Sequence, residues 1–178
     1  NPDVEMEFPN GNNKYATNKV VYHNIPFPDD IAINSGDKVI LTIPSALQFR
    51  TGYSVNVYNP NNEVVGIAQV DPKTNKIETT FNRYFEDYPI GKFMNLELDT
   101  LFSEALEGGE HLHLDFDGHV IDVTVGKANP IPEDEIISKW GSQDKNDPTL
   151  INWGMRVNYA RRVLNNLQLI DTWSDNQK

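Results

Sequence analysis

No cysteine occurs in the 178 residues, which excludes disulfides, thiolate metal sites and cysteine nucleophiles. Cations are scarce too. Lys and Arg number 15 against 26 Asp and Glu, a net charge of -11, and this argues against nucleic acid and anionic membrane surfaces, which demand clustered basic residues. No apolar run is long enough to cross a bilayer as a helix, and Asn1 opens no signal-peptide pattern, so no membrane insertion is expected. Internal repeats and low-complexity tracts are also missing. What is present is a chain long enough to bury a real core, with its acids spread as a solvated surface.

Short apolar runs recur about every ten residues, parted by Asn, Gly, Pro and Asp clusters, as in an all-β sandwich or barrel. Val4, Met6 and Phe8 alternate with acids, and Val39, Leu41 and Ile43 alternate with Lys38, Ile40 and Thr42. Asn10-Gly11, Ser35-Gly36-Asp37, Asn59 to Asn62 and Asp71 to Asn75 carry turn chemistry. Further strands are expected over 54–59, 64–71, 76–82 and 92–99, with helical or irregular connections at 84–88 and 101–107.

The sharpest local prediction is a hairpin over 110–125, closed by Asp117-Gly118. With Phe116 opposite His119, Leu114 faces Ile121 and Leu112 faces Val123, so the apolar residues share one face. His111, His113, Asp115, Val120, Asp122 and Thr124 take the other. Residues 127–136, with Pro130 and Pro132 among acids, read as a linker between a domain at 1–126 and a second at 137–178.

Beyond the linker two periodicities compete. Ile151, Trp153, Met155, Val157 and Tyr159 alternate as in a strand, with Leu167, Leu169 and Ile170-Asp171 suggesting another. Leu150, Trp153, Val157, Ala160, Leu164 and Leu167 also fall at helical steps after Asp147-Pro148. Lys139, Trp153, Asn158 and Asp171 form a spaced polar and aromatic set across this region.

The runs Ser35-Gly36-Asp37-Lys38-Val39-Ile40-Leu41-Thr42-Ile43-Pro44, Gly66-Ile67-Ala68 and Ile77 to Asn82 resemble the first ligand-binding subdomain of Gram-positive cell-wall-anchored adhesins, the collagen- and fibrinogen-binding (MSCRAMM) family. Ile151 to Asn158, followed by Leu169-Ile170-Asp171, resembles the opening strands of the second subdomain in the collagen-adhesin branch. The resemblance implies a variant immunoglobulin-like β-sandwich followed by an incomplete second sandwich. It also implies an extracellular surface protein that binds a host extracellular-matrix or plasma protein through the region between its subdomains.

By the same resemblance, Lys139 is the lysine of an internal isopeptide bond and Asp171 the assisting acid. Their Asn partner is expected beyond residue 178, leaving this chain without the cross-link. Burial would keep such an amine neutral and nucleophilic, while a protonated carboxyl polarises the amide. The isolated strands are expected to pack on the first domain, pair with another copy, or be completed by a separate segment. One departure counts against collagen as the ligand: where collagen binders resemble one another in carrying aromatics beside the Lys and the Trp, this chain has Ile137-Ser138 and Gly154-Met155.

Other readings are weaker. His111 and His113 with Asp122 suggest a metal, but two strand histidines without a third ligand are ordinary surface residues, and none is assigned. No cofactor is called for. Trp140, Trp153 and Trp173 read as core or interface. Acidic pairs such as Asp29-Asp30 show no calcium loop. Without a nucleophile elbow an enzyme is not expected, beyond autocatalytic isopeptide formation in a longer chain. The alternative to a binding module is a stalk or pilin-like domain with no ligand site; a binding module predicts a groove lined by aromatics such as Tyr53, Tyr58, Tyr84 or Tyr88.

Overall fold

Strict alternation of apolar and polar side chains gives strands with one buried face, and the computed structural model, which describes residues 3–175, contains many of them. Residues 1–2 and 176–178, at the ends of the two expected domains, lie outside the described residues. Two compact units separate along the chain: Asn1–Asn129 with Ser142–Asn152, and Pro130–Gly141 with Trp153–Lys178.

The first unit is a β-sandwich. Its elements run β1 (Asp3–Glu7), β2 (Asn18–Phe27), β3 (Lys38–Thr42), β4 (Leu47–Gln48), β5 (Tyr53–Tyr58), β6 (Val64–Asp71), β7 (Lys76–Phe81), α1 (Tyr84–Asp87), β8 (Lys92–Phe102), β9 (His111–Phe116) and β10 (His119–Thr124). The strands lie in the order β1-β2-β8-β5-β6-β7-β3, with β4 on β8. The first three join the last four only where Tyr58 of β5 meets Asn95 of β8. A single buried cluster draws Val4, Tyr22, Leu96 and Leu98 from one side of that seam and Val57, Ala68, Val70 and Ile77 from the other, so the sheet curls back on itself. Each such buried side chain larger than alanine contributes roughly 1.5–3 kcal/mol.

The hairpin of β9 and β10 has the register derived from its sequence: Phe116 faces His119, Leu114 faces Ile121 and Leu112 faces Val123. Asp117 and Gly118 hold the turn at φ 52° and 95°. Leu114 and Phe116 are buried, and Phe116 meets Tyr22 edge-on at 6.0 Å between ring centroids.

Several expectations need correction. β8 continues through Phe102, where a connection beginning at Leu101 was expected, because Leu47 and Gln48 of β4 pair with its last two residues. Strands β2 and β4 had no counterpart among the expected strands. In β2 the inward positions Asn18, Val20 and Tyr22 are followed by a register shift at Asn24, φ 49°, which breaks the alternation before Ile25 and Phe27.

After Pro130 the chain forms β11 (Ile137–Gln143) and β12 (Ile151–Val157), paired as a two-stranded sheet. The helical alternative for 149–171 is therefore overturned. Backbone groups that a helix would use within itself go to the neighbouring strand. Residues 158–175 contain no strand, so the expected second run at 167–171 does not form one. Asn158, at φ 55°, turns the chain out of β12: its side-chain N–H donates to the Arg162 carbonyl at 2.8 Å and its Oδ1 accepts the Arg162 N–H at 2.9 Å.

Candidate functional site: the two faces of the β11–β12 hairpin

Successive residues of a strand point to opposite faces, so Lys139 and Trp140 part company, as do Trp153 and Gly154. One face holds Lys139 and Trp153. The Lys139 ammonium lies 4.5 Å from the Trp153 ring centroid, a cation–π arrangement. Asp171, from the strandless segment after β12, reaches the same ammonium at 2.5 Å. The structure thus brings together Lys139, Asp171 and Trp153, while the Asn158 amide is engaged in its own turn. Neither charged side chain is deeply buried, at 33% and 41% exposure, so in this chain they form a partly solvated ion pair.

The opposite face carries Trp140, Gly154 and Arg156. A Cβ on residue 154 would lie 2.6 Å from the Trp140 indole, so the ring can cross the strand there only over glycine. The Arg156 guanidinium is 5.6 Å from both the Trp140 and Tyr159 ring centroids. Glu135 fixes it from beneath by a two-pronged pair, Nε to Oε1 at 2.7 Å and Nη2 to Oε2 at 3.1 Å. That pairing holds the Glu135 carboxyl below the usual glutamate range and raises Arg156 further. Glu135 is held in turn by its backbone, whose carbonyl accepts the Ala160 N–H at 3.0 Å.

This platform was not singled out from the sequence. Alternation alone puts Trp140 and Gly154 on the face opposite Lys139 and Trp153, but only the register of β11 against β12, with the Asn158 N–H on the Ile136 carbonyl, makes them neighbours. The three tryptophans are exposed at 48%, 51% and 72% for Trp140, Trp153 and Trp173, correcting their reading as core. Alternation set the faces of Trp140 and Trp153, Trp173 lies in the strandless segment, and among the described residues this unit has no second layer to cover them.

Other expected site residues scatter. His113 contacts Asp122, and His111 Nδ1 lies 2.8 Å from the Thr124 hydroxyl, all on the outer face of the β9–β10 hairpin. Among the described residues no group of three or more His, Cys, Asp or Glu could hold a metal. The four tyrosines do not line one groove. Tyr84 meets Tyr88 at 4.8 Å with the rings tilted by 32°, Tyr53 is half-buried, and Tyr58 lines a cleft of the first unit that the other three do not line.

A family model described as a bacterial Ig domain matches residues 13–105, and one described as a collagen-binding domain matches residues 134–178. A wall-associated protein of Streptococcus mutans serotype c is 30% identical over 159 residues, which is 88% of this chain and 35% of that protein. The chain therefore spans about a third of that relative's length. Among solved structures, a serine-rich repeat adhesion glycoprotein of Streptococcus agalactiae aligns with a TM-score of 0.54 at 10% identity, over 88% of this chain and 57% of that one. At that identity the likeness is one of fold, and it fits the sandwich.

Proposed function

We propose, from the premise that this chain belongs to the bacterial Ig domain family through residues 13–105, that it is part of a Gram-positive surface adhesin that binds a host protein. The proposed organisation is an Ig-like module at 1–126, a joining segment at 127–136 that takes part in ligand contact, and the opening of a second module at 137–178. Its ligand is a host extracellular-matrix or plasma protein, collagen being the first to test. The carrying observation is that the collagen-binding match at 134–178 falls on the hairpin whose Trp140, Arg156 and Tyr159 form an exposed platform. Exposed aromatic and Arg side chains of this kind are the usual anchors of protein recognition. The Gly154 beneath Trp140 gives the missing aromatics a physical counterpart: the face keeps an aromatic, supplied by β11. A surface bearing immobilised collagen, fibrinogen or fibronectin should retain the chain from solution. Retention by none of them would favour a stalk.

For Lys139 and Asp171 we propose the isopeptide role in a longer chain. The amine nitrogen would attack the side-chain amide carbon of an Asn on a further strand, forming the new C–N bond and releasing ammonia. Supporting this is the 2.5 Å approach of Lys139 to Asp171 beside Trp153. Covering this face would supply the desolvation that the reaction needs and that the exposed pair lacks. A longer folded chain should weigh about 17 Da less than its sequence, and its Lys139→Ala variant should show no loss. Unchanged mass would remove the proposal.

A further inference from the structure

We propose that the cleft where β2, β8 and β5 diverge is a carbohydrate site taking a neutral or amino sugar. The cleft has a volume of about 580 Å³, within the range of small-molecule sites, and belongs wholly to the first unit. It exists because the sheet is sprung at this seam. β8 and β5 pair only at Asn95 and Tyr58, and further along the Tyr53 hydroxyl takes the place of a partner strand. That hydroxyl donates to the Asp99 carbonyl and accepts the Asp99 N–H, each at 2.9 Å.

Alternation then decides what faces the opening. Met94, Leu96 and Leu98 are buried, which turns Asn95, Glu97 and Asp99 outward; Val57 is buried, which turns Asn56 and Tyr58 outward. Asn62 joins them from the β5–β6 turn, held at φ 62°. The side chains of Asn56, Asn62 and Tyr58 have no hydrogen-bond partner among the described residues. Asn95 uses only its Oδ1, which accepts the Asn24 N–H at 2.7 Å, so its amide N–H groups are free. Lys19 contacts Glu97 and lies 3.8 Å from Asp99, fixing both carboxylates along the wall.

This donor and acceptor set selects the ligand class. Carboxamides can donate and accept at once, as adjacent sugar hydroxyls require, and carboxylates accept from hydroxyls. The Tyr58 ring, 40% exposed, offers an apolar plane for the C–H face of a pyranose. Anionic ligands are disfavoured by Glu97 and Asp99 and by the net charge of -11. A metal ion is opposed by the Lys19 ammonium between the carboxylates. An extended peptide would need a run of free backbone groups, and at Asp99 the Tyr53 hydroxyl already occupies them. The inference goes beyond the adhesin reading and is independent of the β11–β12 platform.

Amide NMR of the whole chain, titrated with galactose, N-acetylglucosamine, N-acetyllactosamine and sialyllactose, tests it. Shifts should centre on Asn56, Asn62 and Asn95 with Kd of about 1 mM for at least one neutral sugar, and sialyllactose should bind more weakly. Tyr58→Ala and Asn56→Ala should each weaken binding about tenfold or more, and both lie on the surface where folding is spared, which the amide spectrum checks directly. Retention on a desialylated host glycoprotein would place the sugar on the host, and retention on purified wall polysaccharide would place it on the bacterium; either supports the site. No shift at these amides with any sugar would overturn the proposal, as would binding unchanged in both variants, or shifts produced only by an extended peptide.

Discussion

Strand β8 and strand β12 are written in the same alternating code, yet one buries its apolar face and the other does not. Met94, Leu96 and Leu98 of β8 are 0–2% exposed, whereas Trp153 and Met155 of β12, in the second unit, are 51% and 46% exposed. The difference is the facing layer. In the first unit the curled sheet supplies its own opposite wall. In the second, the portions of β11 and β12 that it holds and the strandless segment have none among the described residues. Alternation therefore specifies a face, and only a partner layer turns that face into a core.

The contrast breaks most easily by truncation. Leu96→Ala should destabilise the first unit by about 2–5 kcal/mol, as buried large-to-small changes do, while Trp153→Ala should cost under about 1 kcal/mol, mainly its contact with Lys139. Urea unfolding of each variant measures the gap. Equal losses would mean that the second face is covered in solution. A smaller effect is expected from Gly154→Ala, whose new methyl displaces the Trp140 ring. Stability of the first unit should not change, and retention on the matrix ligand should fall about tenfold. Full retention would show that the ring is not the anchor.

Acid provides the gentlest probe. Because Arg156 lowers the folded-state pKa of Glu135, the clamp contributes above the ordinary glutamate range and is lost as pH falls through that lower folded value. The Arg156 Nε–H resonance should therefore broaden or shift in that acid window while the Leu96 and Leu98 amides hold. A change confined to neutral pH would assign the clamp to another group.

The sequence legible to alternation was the part whose partners are close in the chain. The β9–β10 register was readable residue by residue because Asp117-Gly118 fixes the turn and leaves no freedom. Lys139 and Asp171 were readable as a pair through the resemblance, and they do meet. β2 was not, since its bulge at Asn24 reverses the pattern midway and its long partner β8 lies far along the chain with no turn joining the two. The seam cleft was invisible for a related reason: it depends on where β8 and β5 stop pairing, which no local pattern records. The Trp140–Arg156 platform needed the pairing of β11 with β12 before its residues could be seen as neighbours.

The adhesin account rests on the exposed face of β11 and β12, and one paired measurement tests it directly. Binding of the chain and of its Trp140→Ala variant to an immobilised collagen triple helix should differ by about tenfold or more in Kd, with the same urea midpoint for the first unit. Equal affinity in the two proteins, or no binding by either to collagen or to any plasma or matrix protein, would contradict the account.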